Sequence, residues 1–178
     1  RTIAKPINFG IIYGIGPNKL AETLGISSDK AKQYIDRYLE RYAGVSSFIN
    51  KYKRLAKKHG YVKNYFGRTR HLDYLLNPDI EEWQRERGYR QAVNYVVQSS
   101  CADMFKIILL RCHNLLEGMK SDMVMNIHDE IVFYIHADEI GIIPDIKKCF
   151  EDWNFSVPMI ADVSFSDVSW GEKQGLEI

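Results

Sequence analysis

The stretch Met125-Asn126-Ile127-His128-Asp129-Glu130-Ile131-Val132-Phe133 sets two apolar runs on either side of a polar, doubly acidic triplet. Both runs are short and apolar, so the pair reads as two antiparallel strands, Met123 to Ile127 and Ile131 to Ile135, joined by a tight turn. A favoured two-residue hairpin turn needs positive φ at its centre, which Gly or Asn adopts most easily, and His128-Asp129-Glu130 offers neither at the apex. Two ionised carboxylates about 5 Å apart repel by roughly 3 kcal/mol at an effective dielectric near ~20, so Asp129 and Glu130 are better tolerated with a cation beside them. A hard, oxygen-ligated ion such as Mg2+, shared with substrate phosphates, suits that role. An ordinary solvent-exposed acidic turn and a packing role for His128 are the plainer alternatives.

Outward from the hairpin, Asp138 to Trp153 has the spacing of a covering helix, and Met159 to Phe165 reads as a last strand. Before it, a helical pattern runs from Asp79 to about Tyr95, and a very apolar second helix from about Ser99 to Met119. Further back, Tyr61 to Tyr65 and Arg70 to Leu72 flank Phe66-Gly67-Arg68-Thr69, a small hairpin with Gly at the turn. The chain up to Gly60 is helical, with a start at Ser27-Ser28-Asp29, a break at Ala43-Gly44 and a stop at His59-Gly60. The expected fold class is therefore α+β: a mostly helical portion followed by one with a small antiparallel sheet packed on helices.

With 178 residues and 46% hydrophobic content, the chain can fill one or two small cores, which excludes a disordered polymer. Cys101, Cys112 and Cys149 form no even-numbered framework and no CxxC pair, and they receive no catalytic role. No apolar run reaches membrane-spanning length and no signal-peptide pattern is present, so a soluble, cytoplasmic protein without a membrane partner is expected. The start at Arg1, without Met and inside a helical pattern, points to a piece of something longer. The net charge of +1 conceals two opposite halves: residues 1–70 hold 15 Lys/Arg against 4 Asp/Glu, and residues 71–178 hold 9 against 19. The basic half has the footprint of a polyanion-binding surface, and the acidic half could hold divalent cations.

Two further stretches carry candidate chemistry. In RTIAKPINFGIIYG, Arg1, Lys5, Phe9 and Tyr13 recur every four residues and drift by only about 40° per step on a helix, so they share one stripe. Cations in a first helical turn oppose the helix dipole by roughly 0.3 to 1 kcal/mol each unless an anion lies there, which a triphosphate would supply. Phe9 and Tyr13 would then offer flat surfaces to a sugar and a base. Ile3, Ile7, Ile11 and Ile12 form the apolar side of an ordinary amphipathic helix, and Pro6 either bends that helix or marks a late start. In RQAVNYVVQ, Arg90, Asn94 and Gln98 form a row of long polar donors that could reach minor-groove acceptors without sequence preference. Taken alone, that row is equally a solvated helix face.

Together, in this order, the three stretches resemble the family A DNA polymerases, the group that includes bacterial DNA polymerase I and related phage enzymes. RTIAKPINFGIIYG is similar to the family's nucleotide-binding fingers helix, RQAVNYVVQSSCADMFK to the segment lining the primer-template minor groove, and MNIHDEIVF to the palm's catalytic hairpin. GYVKNYFGRTR resembles the small hairpin between fingers and palm, and VSWGEK the family's end. The resemblance implies a fingers portion over residues 1–75 and a palm portion over residues 76–178.

The resemblance also implies roles for the matching positions. Arg1 and Lys5 would hold the triphosphate, Lys5 donating a proton to the leaving pyrophosphate. Phe9 would pack on the sugar, and Tyr13 would stack near the templating base, with Gly14 letting the chain pass closely. Asp129 would ligate catalytic Mg2+ with Glu130 beside it and His128 near the primer end, and Arg90, Asn94 and Gln98 would monitor the nascent pair. Primer-template DNA and dNTPs are the implied partners, in a bacterial or phage-infected cell, with an organelle also open. The family's other metal-binding aspartate, in a D-Y-S-x-I-E strand before the fingers helix, does not occur between Arg1 and Ile178, so the two-metal site is incomplete and the missing upstream portion is an implied partner. Thr2 and Pro6 also depart from the family pattern. A non-catalytic DNA-binding module derived from a polymerase is the alternative reading. A metal-dependent hydrolase ranks last, because His59, His71, His113 and His136 are scattered without ligand spacing.

Overall fold

The computed structural model of the chain describes residues 4–176, with side chains from residue 7 onward. Helix α1 (Ala4–Ile12) includes Pro6. Helix α2 (Pro17–Leu24) follows, and α3 (Ser28–Arg41) starts at Ser27, whose side chain accepts from the Lys30 backbone N–H as the sequence signal predicts. Tyr42 separates α3 from α4 (Ala43–His59), which stops at Gly60 in the left-handed region at φ 71°. Strands β1 (Tyr61–Lys63) and β2 (Thr69–His71) pair antiparallel with Val62 opposite Arg70. Their turn is organised by the Asn64 side chain, which accepts from the backbone N–H groups of Phe66 and Arg68 at 3.1 and 2.8 Å.

Helix α5 (Glu82–Leu116) is one uninterrupted element of 35 residues, where the sequence pattern predicts two. Pro78 lies before it, and its start is fixed at Glu81, whose N–H is reached by the Gln84 side chain while Gln84 N–H reaches the Glu81 carbonyl. No Pro or Gly lies between Tyr89 and Leu116, so nothing in the backbone stops the helix. The pattern suggested a break because the buried stripe changes: Tyr89, Ala92 and Val96 serve one core, Ile108, Cys112 and Leu116 another.

The remaining elements are β3 (Asp122–Ile127), β4 (Glu130–Tyr134), α6 (Ile143–Glu151), β5 (Val163–Phe165) and β6 (Gln174–Leu176). The expected covering helix is shorter, because Ala137–Ile142 forms a 3-10 turn before Pro144 opens α6. The expected last strand shrinks to β5, which pairs with β6, a strand the apolar pattern did not disclose. The class is α+β, and the described strands form three separate antiparallel ribbons rather than one sheet.

The chain divides into two compact units, Arg1–Ala102 and Asp103–Ile178. The first holds two cores. Leu20, Ala21 and Ala31 gather Ile7, Ile15 and Ile35, while Ala56, Val62, Leu72 and Leu75 pack with Tyr89, Ala92 and Val96. That second core attaches the first turns of α5 to residues before 76. In the second unit, Ile131 of β4 packs with Ile108, Cys112 and Leu116 of α5 and Ile146 of α6. Burial, with Cys149 adjacent, pushes the Cys112 thiol up to about 12, so it is protonated and unreactive at neutral pH. Among the described residues no helix is long and apolar enough to cross a membrane.

Candidate functional site

In the first unit, Phe9 and Tyr13 stand one turn apart with their rings stacked, centroids 6.2 Å apart and planes 17° apart. Phe9 is 51% exposed, whereas Ile11 on the other side of the helix is 3% exposed. The apolar and aromatic faces of this stretch are thus distinct, and the aromatic one is left to solvent. Arg1 lies outside the described residues; Lys5 falls within α1, and its side chain is likewise outside them.

The chain leaves α1 through Gly14 at φ 77°, where an added Cβ would stand 2.8 Å from Cγ of Arg90. Two separately predicted stretches therefore meet, with the Gly14 backbone on the methylene stem of Arg90. Arg90, Asn94 and Gln98 follow on successive turns of α5, the first and last exposed and Asn94 half-buried. Oδ1 of Asn94 is shielded from solvent and has no hydrogen-bond partner among the described residues. A buried acceptor left in that state costs about 1–3 kcal/mol. On α4, Lys51, Arg54, Lys57 and Lys58 are exposed, while Lys53 pairs with Glu86 at 3.7 Å.

In the second unit, Ile127 pairs with Glu130, so His128 and Asp129 alone form the β3–β4 turn. His128 has φ 55°, the only positive φ outside glycine among the described residues. A two-residue turn usually gives this place to Gly, and a residue with a Cβ there costs roughly 1–2 kcal/mol. The Asp129 side chain is exposed and, among the described residues, has no hydrogen bond or ion pair.

Glu130 is different. Its Oε1 accepts from Lys173 Nζ at 2.5 Å and from Trp170 Nε1 at 2.9 Å. The Lys173 ammonium also lies 4.8 Å from the Trp170 ring centroid. The Lys173 bond first, and the Trp170 bond second, hold the Glu130 carboxyl below its ordinary range. The far end of the hairpin is also tied: Glu139 accepts from the N–H groups of Lys120 and Ser121 at 3.0 and 2.9 Å and from Ser121 Oγ at 2.6 Å. Ser121 Oγ in turn accepts from the His136 N–H at 3.0 Å.

Among the described residues no group of three or more His, Cys, Asp or Glu side chains is arranged to hold a metal. The donor chemistry of Asp129, an unengaged hard oxygen pair at a tip, fits one ligand of a Mg2+ shell and not a whole one.

A family model described as DNA polymerase family A matches residues 1–172. The chain belongs to DNA polymerase family A. Among relatives in this family, DNA polymerase I of Streptococcus pneumoniae serotype 4 is 37% identical over 169 residues, covering 91% of this chain and 19% of the relative. The thermostable DNA polymerase I of Thermus aquaticus is 35% identical over 172 residues, covering 94% and 20%. A solved structure, the POL domain of Pol1 from M. smegmatis in complex with DNA primer-template and dNTP, matches with a TM-score of 0.82 at 27% identity, over 89% of this chain and 28% of that one. The family A chain thus spans about a fifth of the length of these curated relatives. The sequence VSWGEK does not disclose the roles of Trp170 and Lys173, because a contact spanning 40 to 43 residues leaves no local periodic signal.

Proposed function

We propose that this chain supplies the nucleotide-binding face and part of the metal site of a DNA-directed DNA polymerase that adds dNTPs to a primer 3′-hydroxyl. The observation that carries this reading is Asp129, an unpartnered carboxylate held at the apex of a two-residue turn. The relatives' names support it, and so does the M. smegmatis structure, which holds primer-template DNA and dNTP. Residues 1–75 take the fingers role and residues 76–178 the palm role.

Arg1 and Lys5 bind the triphosphate, and Lys5 hands a proton to the departing pyrophosphate. Phe9 and Tyr13, already stacked on each other, receive sugar and base. Arg90, Asn94 and Gln98 follow the minor groove, their N–H groups donating to acceptors on the base edges. Asp129 would hold Mg2+, with Glu130 and His128 flanking it, and an ion held there would supply charge neutralisation on the reacting phosphate and a lowered pKa for the primer hydroxyl. One free carboxylate does not complete a two-metal site, so the chain alone does not extend a primer and needs the upstream portion that carries the second aspartate.

With that upstream portion supplied, Asp129→Ala abolishes primer extension and leaves DNA binding near the wild-type level; near-normal extension by this variant refutes the assignment. The exposed cations of α4 favour a second reading, a DNA-binding module without chemistry. Filter binding separates the two, because a pure binder shows salt-dependent affinity and no response to Mg2+ or dNTP.

A further inference from the structure

The hairpin tip combines two features that do not hold themselves in place. His128 occupies a backbone region that a residue with a Cβ avoids, and a two-stranded ribbon is marginally stable on its own in water. Glu130, the first residue after the turn, is gripped from 40 and 43 residues downstream by Trp170 and Lys173. Both donors lie just before β6, Trp170 opening a 3-10 turn and Lys173 immediately preceding Gln174, and β6 pairs with β5, so their own position is set by a second ribbon rather than by the first. Both bonds end on Oε1, so the carboxylate is oriented while Oε2 stays uncommitted. The cation that the adjacent acidic pair requires is, on the Glu130 side, the Lys173 ammonium, and Asp129 is left as the carboxylate without a partner.

We propose that Trp170 and Lys173 are positioning residues that latch the hairpin tip through Glu130, fixing the His128-Asp129 turn so that Asp129 is presented in one orientation. The latch itself is a matter of structure; its kinetic consequence rests on the polymerase reading above. Lys173 touches no reacting atom and acts only through Glu130. An indole N–H donor beside an ammonium fixes direction as well as charge, which an exposed lysine alone would not do.

The test uses the 178-residue chain and, in parallel, the polymerase completed by its upstream portion. In amide NMR of the chain, Trp170→Phe identifies the Trp170 indole N–H signal among those of the three tryptophans. Lys173→Met shifts that signal and those of the His128 and Asp129 amides, and Lys173→Arg, which keeps charge and donor, restores all three. In the completed polymerase, Lys173→Met lowers kcat roughly 10-fold with KM for dNTP unchanged, as misorientation without loss of substrate contacts predicts, and Lys173→Arg recovers it. Should Lys173→Met unfold the β5–β6 ribbon, Glu130→Gln carries the test, since it keeps an acceptor oxygen, loses the charge and must move the indole signal.

Indole and turn signals that ignore both substitutions overturn the latch. Moved signals with an unchanged kcat overturn the positioning role. Neither result touches the polymerase assignment, which falls only if Asp129→Ala still extends primers.

Discussion

The aromatic face of α1 and the tip of the β3–β4 hairpin present their side chains by opposite means. Phe9 and Tyr13 are placed by helical spacing alone, and an apolar side anchored by Ile7 and Ile11 turns them outward. Asp129 is placed by a turn its own residues disfavour, held by Trp170 and Lys173 from the far end of the chain and by the Glu139–Ser121 bonds at the ribbon's base. A helix can display a binding face with local information. A ribbon tip borrows its order from remote partners, so its geometry is sensitive to substitutions that touch neither turn nor ligand.

The comparison breaks first if the helical region lacks the core assigned to it. Leu75 is 2% exposed and packs with Ala56, Val62 and Tyr89, so Leu75→Ala should lower the free energy of unfolding by about 2–5 kcal/mol in denaturant titrations. A loss well under ~1 kcal/mol would mean that the first unit is held by something else. Next comes the crossing of the α1 exit over α5. Gly14→Ala adds a Cβ 2.8 Å from Cγ of Arg90 at a backbone φ of 77°, for an expected loss of about 1–3 kcal/mol. In the double-mutant cycle, Arg90→Ala should recover the steric part and leave the φ part, which thermal melts of the four proteins would resolve.

A smaller loss, about 1 kcal/mol, is expected for Ser27→Ala, which removes the acceptor for the Lys30 N–H at the start of α3; the helical circular-dichroism melt reports it. The smallest effect concerns acid. The Lys120 N–H above all, with Ser121, holds the Glu139 carboxyl below its ordinary range. A depressed carboxyl contributes stability that is present above the unfolded value near ~4.3 and is lost as pH falls through the folded value. Wild type should therefore lose stability in that acid window more steeply than Glu139→Gln, and parallel acid titrations of the two would sink the assigned role.

Legibility followed the same divide. Helix starts and stops at Ser27 and Gly60, the stripe of Phe9 and Tyr13, and the hairpin around His128-Asp129 could be read from neighbouring residues, because capping chemistry and side-chain periodicity act over one or two turns. The unbroken run of α5 could not, since a helix that changes its buried stripe midway looks like two. Strand β6 was hidden because Gln174-Gly175-Leu176 has no alternation to detect. Lys173 escaped for a stronger reason: repulsion between adjacent carboxylates favours a nearby cation without choosing between a dissolved ion and a lysine 43 residues away.

The left-handed His128 sets a limit on what the nine-residue stretch that contains it can do elsewhere. A conformation disfavoured by roughly 1–2 kcal/mol is a minority state in a free peptide. Grafted onto a foreign scaffold, MNIHDEIVF would carry its carboxylates but not their aim; a designer borrowing this motif must import the tail that tethers it.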